Sequence, residues 1–169
     1  MKSVLMVIAP EGFRDEEYAH PTEVLERRGA HVTTASVRPG MCVGKLGMTV
    51  EATLSVTEAD ALDFDAVIFV GGPGARVYFD DPYAHALARA ARVNRRVLAA
   101  ICIAPSILAR AGLLRGWPAT AFETQKADLE EHGAIWTGEP VTVSGFVITA
   151  NGPEAASDFG EAVADALGI

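Results

Sequence analysis

Cys102 stands between "VLAAI" and "APSILA" with no spacer on either side. Apolar residues run up to it as a strand would, and a helix-like pattern leaves from it. A thiol at so tight a strand-to-helix turn resembles a nucleophile elbow in shape, although the usual flanking glycines are missing. Two effects follow from that placement. Backbone N–H groups at a helix start favour an anion, which lowers a thiol's pKa. The same groups, with one donor from a neighbouring turn, can hold a developing oxyanion. Pro105 suits the first helical turn, where its missing N–H leaves nothing unpaired. The alternative is a small buried hydrophobe, because free cysteine is among the most buried residue types. Local pattern does not separate the two. Cys42 lies in a glycine-rich loop away from any such junction and reads as structural.

Two other segments carry residue types suited to a site. "VGGPGAR" (Val70–Arg76) closes another apolar run, and its glycines let backbone N–H groups turn towards a ligand. No Lys-Ser/Thr follows them and the dinucleotide spacing is absent, so this is neither a phosphate loop nor a nucleotide fingerprint. Arg76, just past the turn, is a candidate contact for an anionic substrate, with an exposed arginine as the plainer reading. "PEGFRDEEYAHPTEVLERRG" supplies Glu11, Asp15, Glu16, Glu17 and Glu23. Most of these read as solvated charges on a helix face, and pattern does not say which one points at the sheet.

The elements that must position these segments alternate along the chain. "VLMVIAP" (Val4–Pro10), "HVTTASV" (His31–Val37), Ala66–Val70 and "RVLAAIC" read as strands, the first as a continuous apolar run covered on both faces. Helices are expected from Asp15 or Glu16 to Arg28, over Asp81–Asn94, in "APSILARAGLL" and "KADLEEHG", and in the terminal "EAASDFGEAVADALGI". "TEADAL" suggests a short acidic helix. Hairpin-like strands are expected in "PGMCVGKLGMTVEATLSV", and one or two strands around Ser144-Gly145. Strands alternating with helices imply a three-layer α/β/α sandwich with a mostly parallel, doubly wound sheet. Ligands then bind beyond the carboxyl ends of the strands, where "PEGFRDEE", "GGPGAR" and "CIAP" all fall.

Bulk properties narrow the partners. The 169 residues fit one α/β domain over residues 1–169, and half are hydrophobic, enough for a full core without disulfides. A formal net charge of −8 argues against nucleic acid or an anionic membrane as partner. Two cysteines without metal-type spacing imply no zinc site, and they fit a reducing, cytoplasmic setting. The N-terminal apolar run is too short to cross a bilayer and lacks a cleavage site. No cofactor or metal motif is present.

Together "VLMVIAPEGFRDEEYAHPTEVLERRGAHVTTAS", "DAVIFVGGPGA", "VLAAICIAPSILARAGLLRGWPAT" and "VITANGPEAASDFGEAVADAL" resemble the PfpI-type intracellular protease family. That family lies in the superfamily of the Parkinsonism-associated deglycase, within the class I glutamine amidotransferase-like proteins. The resemblance covers nearly the whole chain. It implies a flavodoxin-like sandwich, assembled as a homodimer or higher homo-oligomer. It also implies that Cys102 is the reactive elbow cysteine and Glu17 its carboxyl partner. Gly72 and Ile103 would supply the backbone N–H groups of the oxyanion pocket.

The chain departs from the family pattern at histidine. Peptidase-like members carry one directly after the cysteine, where this chain has Ile103; the deglycase branch has one where this chain has Phe122. His31, His85 and His132 read as structural or surface residues. His20, three residues after Glu17, is a candidate substrate contact on the same helix face, with a surface or interface role as the plainer reading. The resemblance therefore points first to a cysteine enzyme of small reactive carbonyls or their protein adducts, glyoxalase III- or deglycase-like, in a stress response. An intracellular cysteine peptidase or amidohydrolase is the second expectation. A redox sensor or chaperone without turnover is the third.

Overall fold

The computed structural model describes residues 1–169. In chain order the first half contains β1 (Ser3–Val7), β2 (Glu11–Phe13), α1 (Asp15–Arg27), β3 (His31–Ser36), β4 (Gly40–Gly44), β5 (Thr49–Ala52) and β6 (Leu54–Ser55). The middle adds β7 (Ala66–Phe69), α2 (Pro82–Val93), β8 (Val97–Ile101), α3 (Pro105–Arg110) and β9 (Pro118–Ala119). The last part comprises α4 (Lys126–Glu131), β10 (Ile135–Trp136), β11 (Val141–Ser144), β12 (Val147–Ala150) and α5 (Ala156–Leu167).

The main sheet has the order β11-β12-β8-β7-β1-β3-β6, and only the β11–β12 edge pair is antiparallel. Its five central strands, numbered along the chain, lie 2-1-3-4-5, the flavodoxin-like doubly wound arrangement. The step from β1 to β3 runs one way across the sheet and the step from β7 to β8 runs the other. Right-handed crossovers therefore place α1 and α2 on opposite faces. α5 packs against α1, whereas α3 packs against α2 and α4. With both faces covered, β1, β7, β8 and β12 are buried along nearly their whole length. That is why their sequences are continuous apolar runs rather than alternating ones. No helix is long and apolar enough to cross a membrane.

Several boundaries differ from the pattern for local reasons. The expected acidic helix before β7 is a single 3-10 turn over Ala61–Asp63, capped by Asp60. α3 stops at Arg110, because Gly112 enters the left-handed region and ends the helix two residues later. The hairpin expected around Cys42 is present as β4–β5, and β2 joins it in a separate three-stranded sheet.

That small sheet is tied to α1 by a buried charge. Both oxygens of Asp15 accept backbone bonds from the β4–β5 turn, Leu46 N at 2.9 Å and Met48 N at 2.8 Å. A side chain at Gly44 would run into that carboxylate, so the approach depends on its absence. The next residue, Lys45, donates its N–H to the Phe13 carbonyl at 2.8 Å and is thereby set beside the start of α1. Asp15→Ala leaves two amide donors of the turn without partners and is expected to lower unfolding free energy by about 2 kcal/mol. Urea denaturation measures this; a change below about 0.5 kcal/mol would mean that water replaces the carboxylate freely.

Candidate active site

Cys102 is the first residue after β8 and has φ 63°, a left-handed conformation that crowds a β-carbon. Such a backbone persists only where its surroundings fix it. Two hydrogen bonds do so: Cys102 N donates to the Ala150 carbonyl at 2.9 Å, and Phe122 N donates to the Cys102 carbonyl at 2.7 Å. The expected strand-to-helix elbow is thus observed, and it leaves the cysteine 9% exposed.

Glu17 lies in the first turn of α1 and is fully buried. Among the five carboxylates of this segment, the structure selects it as the one beside the thiol. Gly71 makes the approach feasible. A β-carbon there would lie 2.5 Å from Glu17 Oε1 and 2.6 Å from both Cys102 Cβ and the Ile101 carbonyl. Gly72 follows at φ 97°, packed against the backbone of Gly12, Phe13 and Arg14 with no room for a side chain. The Arg14 N–H donates to the Gly71 carbonyl at 2.9 Å, locking the start of α1 to the glycine turn. The carboxyl ends of β1, β7 and β8 each contribute one part of the site, as the switch of strand direction beside β1 requires.

The electrostatics correct one expectation. Burial pushes the Cys102 thiol up to about 12, and the neighbouring Glu17 carboxylate pushes the same way. Hydrogen bonds from the Gly72 and Ile103 N–H groups lower it, as a helix start should, but they are outweighed. Burial also raises Glu17 to about 7, against the thiol and Arg14, which act downward. Neither Glu17 oxygen has a partner at full hydrogen-bond geometry, so its contact with the sulfur is a loose one. Two acids this close titrate as a unit. One proton leaves near 7 and the other is held to about 12, so a single proton is shared between. When it sits on Glu17, the sulfur is a thiolate facing two backbone donors.

These groups open onto a cavity of about 260 Å³ that also contains Ile103, Arg14, Lys45, Arg76, Phe122 and Thr124 in its wall. Arg76 therefore lines this cavity and is exposed. His20 does not line it. The buried stripe of α1 is Glu17, Pro21, Val24 and Leu25, centred towards the i+4 side of Glu17, and the i+3 position turns out to solvent. His85 bonds the Phe79 carbonyl at 2.7 Å and His132 the Asp128 carbonyl at 2.8 Å. No histidine of the chain lines the cavity, and no group of three His, Cys, Asp or Glu side chains converges to hold a metal. A larger cavity, about 530 Å³, adjoins across Phe122 and Pro153 and is lined by Glu123, Lys126, Trp136 and Glu154.

Residues 2–166 match the DJ-1/PfpI family. The chain belongs to that family. An uncharacterized protein of Methanocaldococcus jannaschii is 38% identical over 97% of this chain and 82% of its own length. A deglycase of Thermococcus kodakarensis is 30% identical over 88% of this chain and 90% of its own. Among solved structures, a ThiJ/PfpI domain protein from Brachyspira murdochii superposes with a TM-score of 0.96 at 34% identity, covering 98% of this chain and 96% of that one. In this DJ-1/PfpI chain, sequence reasoning missed Gly71, Arg14 and Lys45 as parts of the site. Gly71 had a signal in the doubled glycine. Lys45 had none, because only the tertiary docking of the β4–β5 turn brings it there.

Glu17→Gln removes the group that shares the proton, leaving the buried thiol to ionise alone. The pH midpoint for alkylation of Cys102 is expected to move upward from about 7, read by intact mass after timed iodoacetamide pulses. An unchanged midpoint would show that Glu17 does not govern the thiol. Stability carries the same sign. The folded chain keeps the Glu17 proton to about 7, whereas an unfolded chain releases it near 4.5. The wild type therefore loses stability relative to Glu17→Gln as pH rises through that window, by up to about 3 kcal/mol above pH 7.

Proposed function

We propose that the protein is a cysteine-dependent enzyme that converts small 2-oxoaldehydes such as methylglyoxal to 2-hydroxy acids. The observation that carries this reading is the Glu17–Cys102 pair, a thiol with one buried carboxyl as its proton partner and no imidazole at the cavity. A cavity of about 260 Å³ lies below the usual range for drug-sized ligands and suits a three- or four-carbon compound. The deglycase among the relatives supports carbonyl chemistry for this chain.

The steps follow from the groups present. With the shared proton on Glu17, the Cys102 sulfur adds to the aldehyde carbon, and the carbonyl electron pair moves to oxygen. The Gly72 and Ile103 N–H groups stabilise that oxygen, and Glu17 protonates it to give a hemithioacetal. Glu17, now a carboxylate, takes the proton from the former aldehyde carbon, and the electron pair moves onto the neighbouring carbonyl oxygen to give an enediolate. Glu17 returns that proton to the adjacent carbon, and the hydroxyl proton of the first carbon passes to the oxygen on the second, which leaves a thioester of the 2-hydroxy acid. Water cleaves the thioester, releasing the acid and restoring the thiol. One carbon is oxidised and its neighbour reduced, so no external oxidant is needed. A carboxyl poised near 7 suits both directions of proton transfer. Peptide hydrolysis through a Cys-His pair would need an imidazole, which Ile103 and Phe122 replace at the two family positions.

Lactate formation from methylglyoxal tests the reading. The wild type is expected to produce lactate, with Cys102→Ser and Glu17→Gln each at least about 100-fold slower. Equal rates for wild type and Cys102→Ser would overturn it.

A further inference from the structure

The wall of the Cys102 cavity is cationic on an acidic protein. The chain carries a formal −8, yet three of its fourteen Lys and Arg residues line this one cavity: Arg14, Lys45 and Arg76. Arg14 is partly neutralised, because its Nε donates to Glu16 at 2.8 Å. Lys45 and Arg76 make no ion pair and no side-chain hydrogen bond, and both are exposed at the mouth. They come from separate places, the β4–β5 turn and the 3-10 turn after the glycines, so their convergence is a product of the fold. Against these three charges stand Glu16 and the single negative charge of the Glu17–Cys102 pair, a net of +1. The adjoining larger cavity mixes Glu123 and Glu154 with Lys126 and has no such bias. Unpaired cations at a concave mouth attract anions and raise their local concentration.

From this convergence of Arg14, Lys45 and Arg76 around the buried thiol, we infer that the site selects carbonyl compounds bearing a carboxylate. The substrate class is a 2-oxoaldehyde whose far end carries that group, R–CO–CHO with a carboxylate in R. Lys45 and Arg76 bind the carboxylate at the mouth while the aldehyde reaches the sulfur. This rests on the reading of Cys102 as the nucleophile, but it concerns recognition and not the reaction.

Two alkylating probes of nearly equal size and opposite electrostatic character test it without requiring turnover. Iodoacetate carries a carboxylate and iodoacetamide is neutral. Both transfer their CH2 carbon to the thiolate sulfur and expel iodide. The ratio of their rates at Cys102, divided by the same ratio for 2-mercaptoethanol, cancels intrinsic reactivity and thiolate fraction. That normalised ratio is expected to be about 10 at low ionic strength and to fall towards 1 near 1 M salt. In Lys45→Gln/Arg76→Gln it is expected to drop at least about threefold, whatever the variant's absolute rates. A normalised ratio at or below 1, or one unchanged in the double variant, would overturn the inference. Failure of the proposed reaction looks different: lactate formation independent of Cys102, with the anion preference intact. A Cys102 that reacts with neither probe would remove both.

Discussion

An ionisable carboxyl buried against a thiol is the constraint on which the rest of this structure depends. Glu17 has no exposed surface and no well-formed hydrogen bond, an arrangement that destabilises a fold unless something else compensates. What holds it there is geometric. Gly71 has no β-carbon to separate the two groups, and the Arg14 N–H fastens the start of α1 to the Gly71 carbonyl. The continuous apolar core behind β1, β7 and β8 holds the three strand ends in place. Cys102 itself sits in a backbone conformation worth roughly 1–2 kcal/mol of strain, resisted by bonds from β12 and from Phe122. Strain and a buried charge concentrated at the ends of three strands mark a position where folding stability has been given up for chemistry.

The proton shared by the pair also gives a buried thiol a route to ionise near neutral pH. Taken alone, a cysteine pushed up to about 12 would be inert near neutral pH. Its carboxyl neighbour, raised to about 7, changes the accounting, because what ionises near neutrality is the pair. The two backbone donors draw the remaining charge towards the sulfur, although burial outweighs them. The Gly72 and Ile103 N–H groups face the sulfur and not the carboxyl, which lowers the cost of the form in which Glu17 keeps the proton. The elbow supplies these donors, and α1 supplies the acid.

Much of the fold was legible in the sequence because the physics that sets it is local. Double coverage writes β1, β7 and β8 as unbroken apolar runs, and the alternation with helices admits few topologies. Cys102 was legible as a junction residue for the same reason. Its titration was not, since the direction depends on burial and on Glu17, 85 positions away in the chain. His20 shows the limit of spacing arguments: a three-residue step shares a face with Glu17 only if the buried stripe is centred there, and Pro21, Val24 and Leu25 centre it on the other side. Arg14 and Lys45 were invisible as site residues for a different reason. An exposed cation looks the same in sequence wherever it lands, and only Asp15, gripping the β4–β5 turn, determines where Lys45 lands.

The absence of imidazole shapes what this pair can do once it is formed. With Ile103 after the elbow and Phe122 in the cavity wall, Glu17 is the titratable group beside the Cys102 sulfur. A single carboxyl serves well when the proton it gives up at one step is returned within the same molecule at the next. In the proposed reaction, addition to an aldehyde followed by a shift of hydrogen between adjacent carbons has that property, because the proton Glu17 takes from one carbon it gives back to the next. Amide cleavage through a Cys-His pair instead sends a proton out with the departing amine, carried by a base that can reach it. Glu17 is fully buried beside the sulfur. The mouth carries the exposed side chains of Lys45 and Arg76, neither of them in an ion pair. The proposed chemistry would thus place proton transfer at the buried pair and charge recognition at the exposed cations.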